Sequence, residues 1–359
     1  MANSTAAITT GYQNITPFSI PAMQVDGVQG QKTCWSYPDA QQNWGYFNAV
    51  PDLKSAITLK AIWNVGKGYQ TDPDTMVLLD NITGWGKETF ADILYNMEVN
   101  RLIHGCSFAE IIRGEDGELV NLKVLDTACM TIWVDEKGII DYYEYRVNGK
   151  SIEFQPQDIL HLSNNRLSSQ IHGISDIQSL EKVILADARS FDELQKVISN
   201  QARPFIIFQL PIDDASKLST HAQTIRDAKL YGNDIIFPVE PGSNDFKYEV
   251  VNANPSGILL QWRAELRSAF FRAIGLPQII PGASGNSTES ESKVIYLAFE
   301  QIVENSQRYL EGQIWNQLQL RINLIPPTTM SDMLQQDQSK DGAQAFNIQP
   351  SDFNVAQGR

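Results

Sequence analysis

GLPQIIPGASGNSTESESK, Gly275–Lys293, separates two long segments with apolar stripes. Upstream, Leu259, Trp262, Leu266 and Phe270 recur at helical spacing between residues 257 and 274. Downstream, Ile295, Phe299, Ile302, Tyr309 and Leu318 do the same to about Arg321, a helix roughly 50 Å long. Gly275 and Pro277 end the first helix. Thr288 and Glu291 open the second as a T-x-x-E capping box. Between them the chain carries Ser284, Asn286, Ser287, Thr288, Glu289, Glu291 and Lys293, with hardly an apolar side chain after Pro281. Such a segment faces water rather than a core.

Working back from this break, a third long stripe runs through Ile177, Leu180, Ile184, Phe191, Leu194 and Ile198, with Ser175 as a candidate N-cap. It predicts a helix of about 26 residues, roughly 39 Å, interrupted only by Asp187. Pro204 closes it. The insert between residues 201 and 254 reads as strand, helix near 215–230, then two strands joined by Gly242-Ser243-Asn244. Asp213, Asp214, Glu240 and Asp245 form its acidic surface. Arg263, Arg267 and Arg272 lie along one side of the returning helix. They read as a solvated face, as partners for acids of a neighbouring subunit, or as phosphate contacts, the usual role of clustered arginine.

Further upstream the texture is strand after short strand from Ser107 to Leu162, punctuated by Asp116-Gly117, Asp135-Glu136-Lys137-Gly138 and Asn148-Gly149. These are hairpin turns, and the alternation of Tyr143, Tyr145 and Val147 predicts an antiparallel sheet with one face buried. Helices are expected from Pro51 to Val65 and from Lys87 to His104, stopped by Gly66 and Gly105. Residues 1–49 read as an irregular arm, and 326–359 as a short tail.

The chain has 359 residues, a net charge of −14 and 42% hydrophobic residues, so it can bury a sizeable core. The acidic balance argues against tight binding to nucleic acid through phosphates. Cys34, Cys106 and Cys129 are too few and too odd in number for a disulfide framework. The N-terminus lacks the pattern of a signal peptide, and no run approaches the ~20 apolar residues of a membrane span. A soluble protein that stays in the compartment of its synthesis is expected. Gly66-Lys67-Gly68 and Gly84-Trp85-Gly86-Lys87 lack phosphate-loop spacing. His104, His161, His172 and His221 are scattered, and no metal-ligand set emerges with the cysteines.

The order of parts carries the signal: a mixed α/β unit, a long helix, a small αβ insert, a returning helix, a GLP break with a polar loop, and a third long helix. This order resembles the portal proteins of tailed bacteriophages. NRLIHGCSFAEIIRGEDGELVNLKVLD (Asn100–Asp126) and FQPQDILHLSNNRLSSQIHGISDIQSL (Phe154–Leu180) are similar to two of that family's segments. NQARPFIIFQLP and AIGLPQIIPG match two more, over roughly residues 50–325 in all. Ser199-Asn200-Gln201-Ala202 departs from the family's Asn-Gly-Ala, and little chain remains after Leu324 for a helical crown.

The resemblance implies an α+β, elongated portal-like subunit. Its wing would span 50–174, its stem helices 175–200 and 255–276, and its clip 201–254. The tunnel loop would be 277–292, the long helix with a return to the wing 293–325, and a reduced crown or tail 326–359. It implies a homo-oligomeric ring, usually a dodecamer, at the capsid portal vertex of a virion assembled in the host cytoplasm. Viral double-stranded DNA would be packaged and ejected through its channel. The major capsid protein, terminase and a head–tail adaptor would be its partners, with no membrane, cofactor, metal or catalytic residue. Two other readings stand beside it: another ring protein of the head–tail junction, and a DNA-packaging enzyme component.

Overall fold

The protein, a computed structural model, is described here over residues 32–201, 205–209, 223, 247–251, 256–278, 280 and 289–326. In chain order the elements are β1 (Thr33–Ser36), α1 (Ala40–Ala49), α2 (Pro51–Val65), β2 (Tyr69–Gln70), α3 (Pro73–Asp80) and α4 (Phe90–His104). Then come β3 (Cys106–Arg113), β4 (Leu119–Leu125), β5 (Met130–Val134), β6 (Ile140–Val147), β7 (Lys150–Phe154) and β8 (Ile159–Ser163). The second half holds α5 (Asp176–Gln201), β9 (Phe205–Gln209), β10 (Lys247–Val251), α6 (Ser256–Ile274), α7 (Glu289–Leu318) and β11 (Asn323–Leu324).

The helix starts have local causes. Pro51 sits in the first turn of α2, where its missing N–H costs nothing. Asp72 accepts from the Thr75 backbone N–H at 2.9 Å and sets the start of α3. Thr89 and Asp92 form a reciprocal capping box, so α4 begins at Phe90, three residues later than its apolar periodicity predicts. Gly105 ends α4 in the left-handed conformation, as expected.

The strand region divides into two sheets. Three strands pair antiparallel in the order β4-β3-β8, and four in the order β1-β5-β6-β7. The Asn148-Gly149 turn joins β6 to β7 with φ of 52° and 75°, the positive pair a tight hairpin needs. β3 is buried on both faces. Cys106 and Phe108 join a core with Met130, Ile132, Val134 and Tyr143 of the other sheet. Ala109 and Ile111 join a second core with Leu94 and Met97 of α4 and Leu310 and Ile314 of α7. This double burial explains why Cys-Ser-Phe-Ala-Glu-Ile-Ile reads as a run rather than an alternation. β1 and α1 fall within the stretch read as an irregular arm. β1 pairs with β5, Thr33 opposite Val134, just over a hundred residues away, so its place was not a local property.

A third core gathers Phe47, Leu53, Ile57, Ile177, Leu180, Phe270, Phe271, Phe299 and Val303 from α1, α2, α5, α6 and α7. Each such large side chain contributes about 1.5–3 kcal/mol by leaving water. α7 therefore spans two cores, and α5 and α6 are rooted in the third. They run antiparallel, with Asp187 opposite Arg263 and Ser190 opposite Trp262. Within the insert, β9 and β10 pair antiparallel, Phe205 opposite Val251. The expected insert helix, its middle strand near 235–239 and its Gly242-Ser243-Asn244 turn lie outside the described residues, apart from Gln223.

Candidate functional site

Two features stand out: a buried polar junction where α5 and α6 leave the body, and the outer surface of that helix pair. The junction starts from Glu98 and Arg101, one helical turn apart on the apolar side of α4. Arg101 Nε and Nη2 meet the Glu98 carboxylate at 2.7 and 2.6 Å, and Asn64 Nδ2 of α2 donates to the same carboxylate at 2.6 Å. Burial alone would raise the Glu98 carboxyl. The Arg101 charge and hydrogen bonds, with that from Asn64, outweigh it and hold the carboxyl below its ordinary range. Arg101 Nη1 donates to Asn164 Oδ1 at 3.1 Å. Asn164 Nδ2 in turn donates to Asp176 Oδ1 at 2.8 Å and to the Ile174 carbonyl at 2.9 Å. Lys60 Nζ of α2 reaches Asp176 Oδ2 at 2.7 Å and the Ile274 carbonyl at 3.3 Å. The foot of α5 and the end of α6 are thus tied through one lysine.

α7 closes the junction. Arg101 lies over the Tyr309 ring at 5.2 Å, and the Tyr309 hydroxyl accepts from the Ser163 backbone N–H at 2.8 Å. Gln317 accepts from the His161 N–H at 2.7 Å and donates to its carbonyl at 2.8 Å, pairing like a short extra strand with β8. Next to it, burial, reinforced by the Arg166 charge, holds the His161 imidazole at about 4. A hydrogen-bonded ion pair this buried fixes geometry rather than adding large net stability, and removing one partner is costly. The two segments quoted above, Asn100–Asp126 and Phe154–Leu180, meet in space here. Lys60, Asn64, Glu98, Arg101, Asn164 and Asp176 were not singled out in the sequence. The available signal was the Glu98–Arg101 spacing on an otherwise apolar helix face.

Beyond the junction, the α5 stripe splits in two. Ile177, Leu180 and Ile184 are buried, whereas Phe191 and Ile198 are 46% and 56% exposed. On α6, Ile258, Leu260 and Trp262 are likewise exposed, at 73%, 57% and 50%. Asp187, which interrupts the stripe, accepts from Arg263 Nε and Nη2 at 3.0 and 3.3 Å. Arg263 also lies over the Phe191 ring at 5.1 Å, and Trp262 Nε1 donates to Ser190 Oγ at 3.1 Å. Arg267 meets Asp52 at 3.2 Å and Arg272 meets Glu265 at 2.7 Å. All three arginines of the row therefore have acidic partners within their own chain. Arg267 and Arg272 remain largely solvent-exposed.

Ser284, Asn286, Ser287 and Thr288 lie outside the described residues, as do Asp213, Asp214, Glu240 and Asp245. Glu289, Glu291 and Lys293 fall in the first turns of α7. Among the described residues no helix is long and apolar enough to cross a membrane.

This architecture recurs in known particles. The fold is similar to that of a chain in the virion of the native gene transfer agent particle, with 17% identity and a TM-score of 0.63 over 89% of this chain and 92% of that one. It is similar to a chain in the neck of the native particle, computed with C12 symmetry, at 16% identity and TM-score 0.63 over 90% and 93%. The neck of the empty particle, computed with C6 symmetry, gives 17% identity and 0.63 over 90% and 94%. No curated protein sequence matches the chain. The fold is thus of the same α+β class as those chains. The phage portal protein model matches residues 86–303, more than half of the chain, and the chain belongs to that family. It is a portal vertex subunit, and the family's role is structural.

Proposed function

We propose that this chain assembles with further copies into a closed ring, a dodecamer, around an axial channel through which double-stranded DNA is packaged and later ejected. The observation that carries this is the exposed apolar surface on the far half of the α5–α6 pair. Phe191, Ile198, Ile258 and Leu260 are all substantially exposed, and a neighbour seated against them would remove them from water. The C12 and C6 necks of the similar particles support a ring. In this reading α5 and α6 are the stem, residues 50–174 are the wing, residues 201–254 are the clip, and 277–292 the tunnel loop. The acidic clip residues Asp213, Asp214, Glu240 and Asp245 would face terminase and then the head–tail adaptor. The wing would meet the major capsid protein. The subunits would assemble in the host cytoplasm and remain at the virion's portal vertex.

An intrachain acid for each of Arg263, Arg267 and Arg272 supports a stem whose arginines are engaged within the subunit rather than by DNA. A channel that moves DNA gains from not holding phosphates. Negative-stain imaging and native mass measurement of the purified full chain should give rings with an axial hole. Monomers alone, under conditions that resemble those of the virion, would overturn the reading.

A further inference from the structure

A separate cleft lies beside the junction. A cavity of about 680 Å³ lies between β1, α1, the end of α4 and the start of α5. His104 and Gln170 line it, 5% and 4% exposed. Among the described residues, neither ring nitrogen of His104 has a hydrogen-bond partner, nor does Gln170 Oε1. Buried polar atoms are nearly always paired with protein, ligand or ordered water, so three such atoms in one cleft are available to a polar occupant.

The cleft's chemistry narrows the identity of that occupant. Burial holds the His104 imidazole at about 4, so near neutral pH it presents one N–H and one lone pair. Gln170 Oε1 needs a donor. An occupant must therefore offer both donors and acceptors, as a carboxamide or peptide group does. One wall is the flat Trp35–His172 stack, with ring centroids 3.6 Å apart and planes within 3°. Among the described residues no lysine or arginine lines the cleft, and Asp39 does, which disfavours a phosphate or other anion. Glu181, at the rim, already accepts from Gln42 and Tyr46, both at 3.1 Å.

The chain itself carries a segment of this chemistry. Residues 1–31 hold Asn3, Gln13, Asn14, Gln24, Gln29 and Gln31, and Asp26 is their sole charged side chain. They lead through Lys32 into β1, whose Trp35 lines the cleft together with the following Tyr37. Thirty-one residues extend to at most about 100 Å, enough to reach the cleft of the same or a neighbouring copy. We propose that this cleft is the docking site of the amide-rich segment 1–31, seated by hydrogen bonds to His104 and Gln170. The proposal does not depend on the portal reading.

The test uses the full chain with p-benzoylphenylalanine at position 178, where exposed Gln178 stands at the rim. Irradiation followed by peptide mass spectrometry should give crosslinks to peptides within residues 1–31. Mixing isotopically light and heavy subunits assigns them to the same or a neighbouring copy, and either source supports the site. Gln170→Met and His104→Phe, each checked for an unchanged circular dichroism spectrum, should lower the crosslink yield about fivefold, as expected for a lost hydrogen bond. Hydrogen exchange of residues 1–31 in the uncrosslinked full chain should rise in the same variants. Crosslinks confined to other segments, or yields and exchange unmoved by both substitutions, would overturn the proposal.

Discussion

Gly105 and Gly173 meet back to back beneath the junction. A Cβ on Gly173 would sit 2.0 Å from the Gly105 carbonyl oxygen and 2.5 Å from both the N and the O of Asn164. All of these atoms are backbone, and they carry the bonds from Asn164 N–H to the Gly105 carbonyl (2.7 Å) and from Ile174 N–H to the Asn164 carbonyl (2.8 Å). Nothing there can rotate away. Gly173→Ala should therefore cost at least about 3 kcal/mol, in the range of severe backbone strain. Gly257→Ala, in the first turn of α6 with open space around it, should be neutral or stabilise by up to about 1 kcal/mol. Urea denaturation of the two variants against wild type checks the contrast, and a Gly173→Ala chain as stable as wild type would refute it. The sequence placed Gly105 at a helix end. It held no sign that the two touch, because that contact exists only once β8 has paired with β3.

At the scale of elements, legibility followed locality. The three long helices begin and end within a few residues of their predicted limits because periodicity, capping residues and glycine stops are local. The hairpins were visible in Asn148-Gly149 and Asp116-Gly117 for the same reason. The division into two sheets and the recruitment of β1 were not, since both depend on pairings far apart in sequence. Asp187 is instructive: it broke the stripe of α5 in the sequence, and in the fold it clamps α6 through Arg263. The clamp marks where the stripe changes from buried to exposed. If the exposed half is an interface between copies, two acids there should abolish assembly without harming the subunit. Ile198→Glu with Ile258→Glu should leave circular dichroism unchanged, since both side chains already face solvent. Burying an isoleucine is worth about 1.5–3 kcal/mol, so the pair should weaken association at least tenfold by analytical ultracentrifugation. Wild-type assembly in the double variant would place the contact elsewhere.

At the scale of the whole molecule, the informative quantity was the order of parts together with the sign of the charge. The chain carries −14 overall, and the arginine row of α6 is met by acids of its own chain. A DNA conduit with this balance should let duplex slide because few phosphates find a lasting cation. The polar stretch after Gly275 is where the proposed channel would come nearest to DNA, and α7 begins there with Glu289 and Glu291. Reversing those two charges turns the idea into a measurement. Glu289→Lys with Glu291→Lys should preserve ring formation, since lysine and glutamate are both good helix formers. The rings should acquire affinity for duplex DNA that falls with salt. Each phosphate newly neutralised steepens the log–log dependence on salt by about 0.9. Packaging in particles carrying the variant should slow most at low ionic strength and recover as salt rises, because friction and affinity share one electrostatic origin. Variant rings that bind duplex no more tightly than wild type, at any salt, would move these carboxylates off the channel wall.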